Sequence, residues 1–166
     1  MLFEFSDEHG ELRRTVRDFF EKESDENRVR ELMSSEQGYD PKCWARMAEE
    51  LGIVGLIVSE KHGGADLGMI ELAIVAEEMG RVLLCAPYLS SAVLATSALQ
   101  FAADEAAQNE ILPKLASGEV MAGISVTEPD IGSDVAGVKC RATRGTVNGE
   151  DGWIINGPKA WCTFAG

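Results

Sequence analysis

The sequence predicts a mainly α-helical N-terminal domain, residues 1–119, followed by the first strands of an incomplete β domain, residues 120–166. Three observations predict it. Apolar residues recur at helical spacing from Ser6 to about residue 116; from Gly118 the chain turns to short segments rich in Gly, Thr and Val; and two Asn-Gly dipeptides fall in that second part.

The helices justify themselves in order. After Ser6, an N-cap residue, Leu12, Val16, Phe19 and Phe20 recur at i, i+4, i+7 and i+8 with Glu11, Arg13, Arg14 and Arg17 between them, an amphipathic pattern. Asp40-Pro41 supplies a capping carboxylate and a proline suited to the first helical turn, and Trp44, Met47, Ala48 and Leu51 share one face before Gly52 ends the run. A third helix spans about Gly68 to Met79, with Met69, Leu72, Ala73, Ala76 and Met79 on its apolar side and Gly80 beyond. Two more are placed near residues 88–102 and 105–116. The first is interrupted only by Ser90, Ser91, Thr96, Ser97 and Gln100, so it belongs in a core or a subunit interface.

In the second part Val138, Cys140 and Ala142 alternate with Lys139, Arg141 and Thr143, which predicts a half-exposed strand over 137–143. Asn148-Gly149 and Asn156-Gly157 are hairpin-type turns, the second separating strands at 152–155 and 159–163. About 46 residues are too few to close a barrel or sandwich, so this sheet is expected to have an edge that needs a cover.

Composition sets the outer bounds. The 166 residues are 45% hydrophobic and 26% charged, enough for a buried core. The net charge of -13 lies mostly in residues 1–120, which hold 23 acidic and 11 basic side chains, and no basic face exists to neutralise phosphates; nucleic acid is excluded as a partner. No apolar run reaches the ~18 residues of a membrane span, and the N-terminus lacks the order of a secretory signal, so a cytoplasmic protein is expected. Cys43, Cys85, Cys140 and Cys162 are far apart and form no metal-ligand spacing with His9 or His62; buried thiols in a reducing compartment, and no metal, are expected. Both histidines read as surface residues without a chemical role.

Three stretches carry a family likeness. Val126-Thr127-Glu128-Pro129 is followed by Gly132-Ser133-Asp134; Asn156-Gly157-Pro158-Lys159-Ala160-Trp161-Cys162-Thr163 follows later; and Leu51-Gly52-Ile53-Val54-Gly55, Gly63-Gly64 and Ala76-Glu77-Glu78-Met79-Gly80-Arg81 precede both. In this order they resemble the acyl-CoA dehydrogenase family. The resemblance implies an N-terminal helical domain, a middle β domain and a C-terminal helical domain, of which these residues would cover the first and the start of the second, with the third absent.

The resemblance further implies α,β-desaturation of an acyl-CoA thioester with electrons passed to FAD, a cofactor the protein positions and tunes. Thr163 would hydrogen-bond the flavin near N5, and Trp161 would lie against its ring. Thr127 and the main chain of Val126 would hold the pyrimidine end, while Ser133 and the Gly132 backbone would meet the pyrophosphate or the CoA chain. Glu128 is read as structural. No catalytic residue is matched; the base is expected beyond residue 166, so this chain alone is expected to be inactive. The alternative is a non-catalytic, truncated module that associates with a full-length relative. An electron-transfer flavoprotein is the implied electron acceptor, and a homo-oligomer or a related full-length subunit the implied assembly.

Overall fold

The computed structural model describes residues 5–101, 104–129, 135–147 and 149–162. They divide into two compact units, residues 1–122 and 123–165. The first is helical: α1 (Asp7–Glu23), α2 (Glu26–Met33), α3 (Pro41–Glu49), two 3₁₀ turns at Ile53–Gly55 and Glu60–His62, α4 (Met69–Arg81), a π-helix Tyr88–Ala95 running into α5 (Thr96–Phe101), and α6 (Glu105–Ala116). The second contains one antiparallel hairpin, β1 (Arg141–Val147) and β2 (Glu150–Asn156). The architecture is therefore the mainly helical one expected, followed by the opening strands of a β domain.

The caps explain where helices start. The Ser6 hydroxyl accepts the His9 N–H, and His9 Nδ1 in turn accepts the Ser6 N–H at 3.0 Å. Asp25 and Asp40 accept the Arg28 and Lys42 N–H groups, each at 2.8 Å, and Pro41 occupies the first turn of α3. The helix α2 was not expected, because eight residues between polar flanks carry too short a period to read; Asp25 was its one signal.

In the helical unit α1 packs on α4, and Val16, Phe20, Trp44, Met47, Ile53, Val54 and Val75 form the main core. A smaller cluster joins Val58 to Leu112, Leu115 and Ala116. Buried polar ends are satisfied: Trp44 Nε1 donates to the Gly118 carbonyl at 3.2 Å and the Tyr88 hydroxyl to the Ile53 carbonyl at 2.9 Å. Gly64 is required by packing, since a Cβ there would lie 2.1 Å from the Val58 carbonyl oxygen.

Four expectations need correcting. The apolar face of α4 is rotated: Ala73 and Ala76 are exposed, whereas Glu78 is 1% exposed and lies in the α1 interface. Arg13, Arg17 and Arg81 draw it there, with contacts of 2.7–3.0 Å that include a bidentate pair with Arg17. The stretch near 88–102 buries Tyr88, Ser90, Ser91, Ala92, Ala95 and Thr96 and exposes Leu89, Leu94 and Phe101, the last at 86%. Small side chains fit the close contact, and their hydroxyls are used: Ser90 donates to the Pro87 carbonyl, Thr96 donates to the Ser91 carbonyl, and Ser91 Oγ accepts the Ala122 N–H. The backbone N–H of Thr96 reaches the same Ser91 carbonyl, five residues back, which opens the helix to the π form. His62 is not a surface residue but 7% exposed, held between Ser59 Oγ and Asn109 Oδ1 at 3.0 Å each. Of the four free thiols only Cys43 is buried; burial pushes its pKa up to about 11.

The strands also fall elsewhere than expected. The first begins at Arg141, and Val135–Gly137 is a 3₁₀ turn, because the Lys139 and Cys140 N–H groups are given to the Glu128 carboxylate and not to a neighbouring strand. Arg141 stands opposite Asn156 and Val147 opposite Glu150, so β1 and β2 are consecutive strands of one hairpin; of the expected Asn148-Gly149 turn, Asn148 lies outside the described residues. Residues 159–162 form no strand; Pro158 has no N–H to give, and Trp161 takes a left-handed φ of 56°. Among the described residues β1 and β2 pair only with each other, both faces are largely exposed, and Arg144 lies over the Trp153 ring at 5.3 Å. No described helix is long and apolar enough to cross a membrane.

Candidate functional site

The candidate site is built in the second unit, where residues 124–128 run beside 159–162. Pro129 biases Glu128 toward an extended backbone, and Pro158 ends β2, so two short extended pieces remain to pair. The Ala160 N–H donates to the Thr127 carbonyl at 2.9 Å, and Cys162 Sγ lies 3.8 Å from the Ile124 carbonyl. Gly157 lets the next segment close in: a Cβ there would sit 2.7 Å from Cys140 Cα.

Glu128 stands at the centre of this joint, almost wholly buried. Its Oε2 accepts the Lys139 N–H at 2.9 Å; its Oε1 accepts the Cys140 N–H at 2.8 Å and the Lys159 ammonium at 3.0 Å. These two backbone donors, then the Lys159 charge, overcome burial and hold its pKa down to about 2. Lys159 Nζ also approaches the Val126 carbonyl at 3.4 Å. A carboxylate so engaged is a poor proton acceptor, which agrees with reading Glu128 as structural and not as a base.

Trp161 presents the opposite case. It is 90% exposed, yet its backbone sits in the left-handed region, which costs a non-glycine residue roughly 1–2 kcal/mol. Neither packing nor a hydrogen bond compensates the indole among the described residues. Strain that holds a flat aromatic surface in solvent motivates a functional reading. Beside it, the carbonyls of Val126 and Thr127 are occupied, but among the described residues the N–H groups of both and the Thr127 hydroxyl make no hydrogen bond. The buried Ser125 hydroxyl likewise has no partner there. A planar heterocycle with carbonyl acceptors fits these unspent donors and the open indole face.

The structure thus brings Val126, Thr127 and Trp161 into one joint. Gly132, Ser133 and Thr163 lie outside the described residues. Lys159 was missed as a structural anchor; its signal was that it is the one charged residue between Gly157 and Cys162. No group of three metal-ligating side chains occurs among the described residues.

Comparison with known proteins gives this geometry its context. The acyl-CoA dehydrogenase N-terminal domain matches residues 6–119. Mitochondrial isovaleryl-CoA dehydrogenase of Pongo abelii is 31% identical over 161 residues, 93% of this chain and 38% of its own. An acyl-CoA dehydrogenase of Mycobacterium tuberculosis is 36% identical over 141 residues, 84% of this chain and 43% of its own. The crystal structure of an acyl-CoA dehydrogenase of Bacillus anthracis complexed with FAD superposes with a TM-score of 0.80 at 28% identity, over 97% of this chain and 27% of that one. The chain spans less than half the length of each of these relatives. With the N-terminal domain matched over more than half of its residues, and a relative 31% identical over 93% of it, the chain belongs to the acyl-CoA dehydrogenase family.

Proposed function

We propose that these residues form part of a flavin-dependent acyl-CoA dehydrogenase that desaturates an acyl-CoA thioester between its α and β carbons. One observation carries the reading: a strained, exposed Trp161 lies beside the unspent donors of Val126 and Thr127, in a chain of this family. FAD, when bound, supplies the hydride-accepting chemistry. The chain's own part is to hold it. The Trp161 indole offers a flat apolar face, and the Val126 and Thr127 N–H groups with the Thr127 hydroxyl suit the pyrimidine carbonyls. Thr163 near N5, and Gly132 with Ser133 toward the pyrophosphate or CoA, complete the proposed set. Glu128 is committed to three donors, so the α-proton is taken by a base outside the described residues, and these residues alone are inactive in the proposal. The electrons then leave to an electron-transfer flavoprotein.

The test is dye reduction by the protein as its source cells produce it, loaded with FAD and offered short, branched and long acyl-CoA thioesters. Reduction with at least one of them is expected. Protein that binds FAD yet reduces no dye with any thioester would overturn the reading. A second reading, a non-catalytic module that associates with a longer relative, is favoured by the two exposed faces of the β1–β2 hairpin with Trp153, Ile154 and Ile155. Size-exclusion chromatography separates the two, since a stable monomer removes the need for such a partner.

A further inference from the structure

We propose that Glu128 is the positioning residue of the flavin platform: by fixing Lys139, Cys140 and Lys159 together, it sets the Thr127–Ala160 pairing and the turn that presents Trp161. The inference rests on the flavin reading above. Three chain segments otherwise far apart in sequence meet at one carboxylate. Its own segment carries Val126 and Thr127; Lys139 and Cys140 lead into β1; Lys159 leads directly to Ala160 and Trp161. Each contact falls at hydrogen-bond distance, 2.9, 2.8 and 3.0 Å.

The chemistry requires a carboxylate. Two oxygens must accept from three donors, and none of the three can accept in return: two are backbone N–H groups and one is an ammonium. An amide of the same shape keeps one acceptor oxygen and turns an N–H₂ group toward a donor. The left-handed backbone at Trp161 needs such an anchor, because an exposed indole supplies no packing of its own to hold a strained turn. Loss of the anchor frees Lys159, and with it the residues that carry the indole. Glu128 acts through these residues and touches no reacting atom.

The test compares wild type with Glu128→Gln and Lys159→Met, reading amide hydrogen exchange and FAD binding by visible absorbance. Glu128→Gln is expected to speed exchange of the Ala160 N–H about tenfold or more, the loss of charge-assisted bonds to backbone donors. Lys159→Met removes the bond that ties Glu128 to the 159–161 segment and is expected to speed Ala160 exchange by a similar factor, while the Lys139 and Cys140 N–H groups, whose bonds to Glu128 it spares, keep wild-type exchange. The N–H groups of Val16 and Phe20 in α1 should keep wild-type exchange in both variants, showing that the loss is local. FAD affinity should fall about tenfold in Glu128→Gln, with a changed shape of the visible flavin band. Unchanged Ala160 exchange in Glu128→Gln would overturn the proposal, as would faster exchange with wild-type flavin affinity and spectrum. Failure of wild-type protein to bind FAD would count against the flavin reading instead, and the exchange data would still decide whether Glu128 sets the turn.

Discussion

Glu78 and Glu128 are both buried carboxylates, but they are satisfied by different partners. Glu128 is held mainly by backbone N–H groups, Glu78 by the guanidinium groups of Arg17, Arg13 and Arg81, which hold its pKa down to about 2 against the opposing effect of burial. A folded-state pKa below the ordinary value near 4.5 stabilises the fold above that ordinary value and ceases to do so as pH falls toward 2. Glu78→Gln should therefore lower stability by about 2 kcal/mol at neutral pH, and the gap from wild type should shrink between about pH 4.5 and 2 in thermal melts. Trp161→Gly should do the reverse, stabilising its unit by up to about 1 kcal/mol in denaturant unfolding while weakening FAD binding, because the strain goes and the ring goes with it. The residue types at the site could be named from the sequence; their states could not. Glu77 and Glu78 are adjacent and chemically alike, and which one is buried depends on arginines 61 and 65 residues away.

Among the elements, α1 and α3 could be read because a cap and an apolar period agree, whereas α2 is too short to show a period. The start of β1 could not be read because a side chain competes for its amides; alternation at 138–142 carries no trace of Glu128, eleven residues earlier. The 159–162 segment has the composition of a strand and lacks the backbone of one, since Pro158 precedes it and Trp161 within it is left-handed. Packing between elements is equally invisible in a list of glycines. Gly64→Ala should cost about 2–3 kcal/mol because its Cβ would overlap Val58, whereas Gly80→Ala, with nothing within 4 Å, should stabilise α4 by about 0.5 kcal/mol. Chemical denaturation of the two variants checks both signs.

Taken over the whole chain, the helical unit has continuous apolar cores and the hairpin unit has few buried side chains, so their local stabilities should differ. Amides in β1 and β2 should exchange at least about tenfold faster than those of Val16, Phe20 and Val75, a two-stranded ribbon being marginal by itself. The division into a helical part and the beginning of a sheet was legible from the change of composition near Gly118, since a 3.6-residue period cannot be mistaken for short Gly-bounded segments. The two-faced exposure of Trp153, Ile154 and Ile155 bears in turn on solubility. Open strand edges and apolar side chains favour self-association, and the net charge of -13 opposes it by mutual repulsion. Salt weakens only the second effect, since the screening length falls to about 3 Å at 1 M. Warmed solutions should therefore turn turbid sooner at high ionic strength than at low, with charge repulsion acting as the hairpin's cover in dilute buffer.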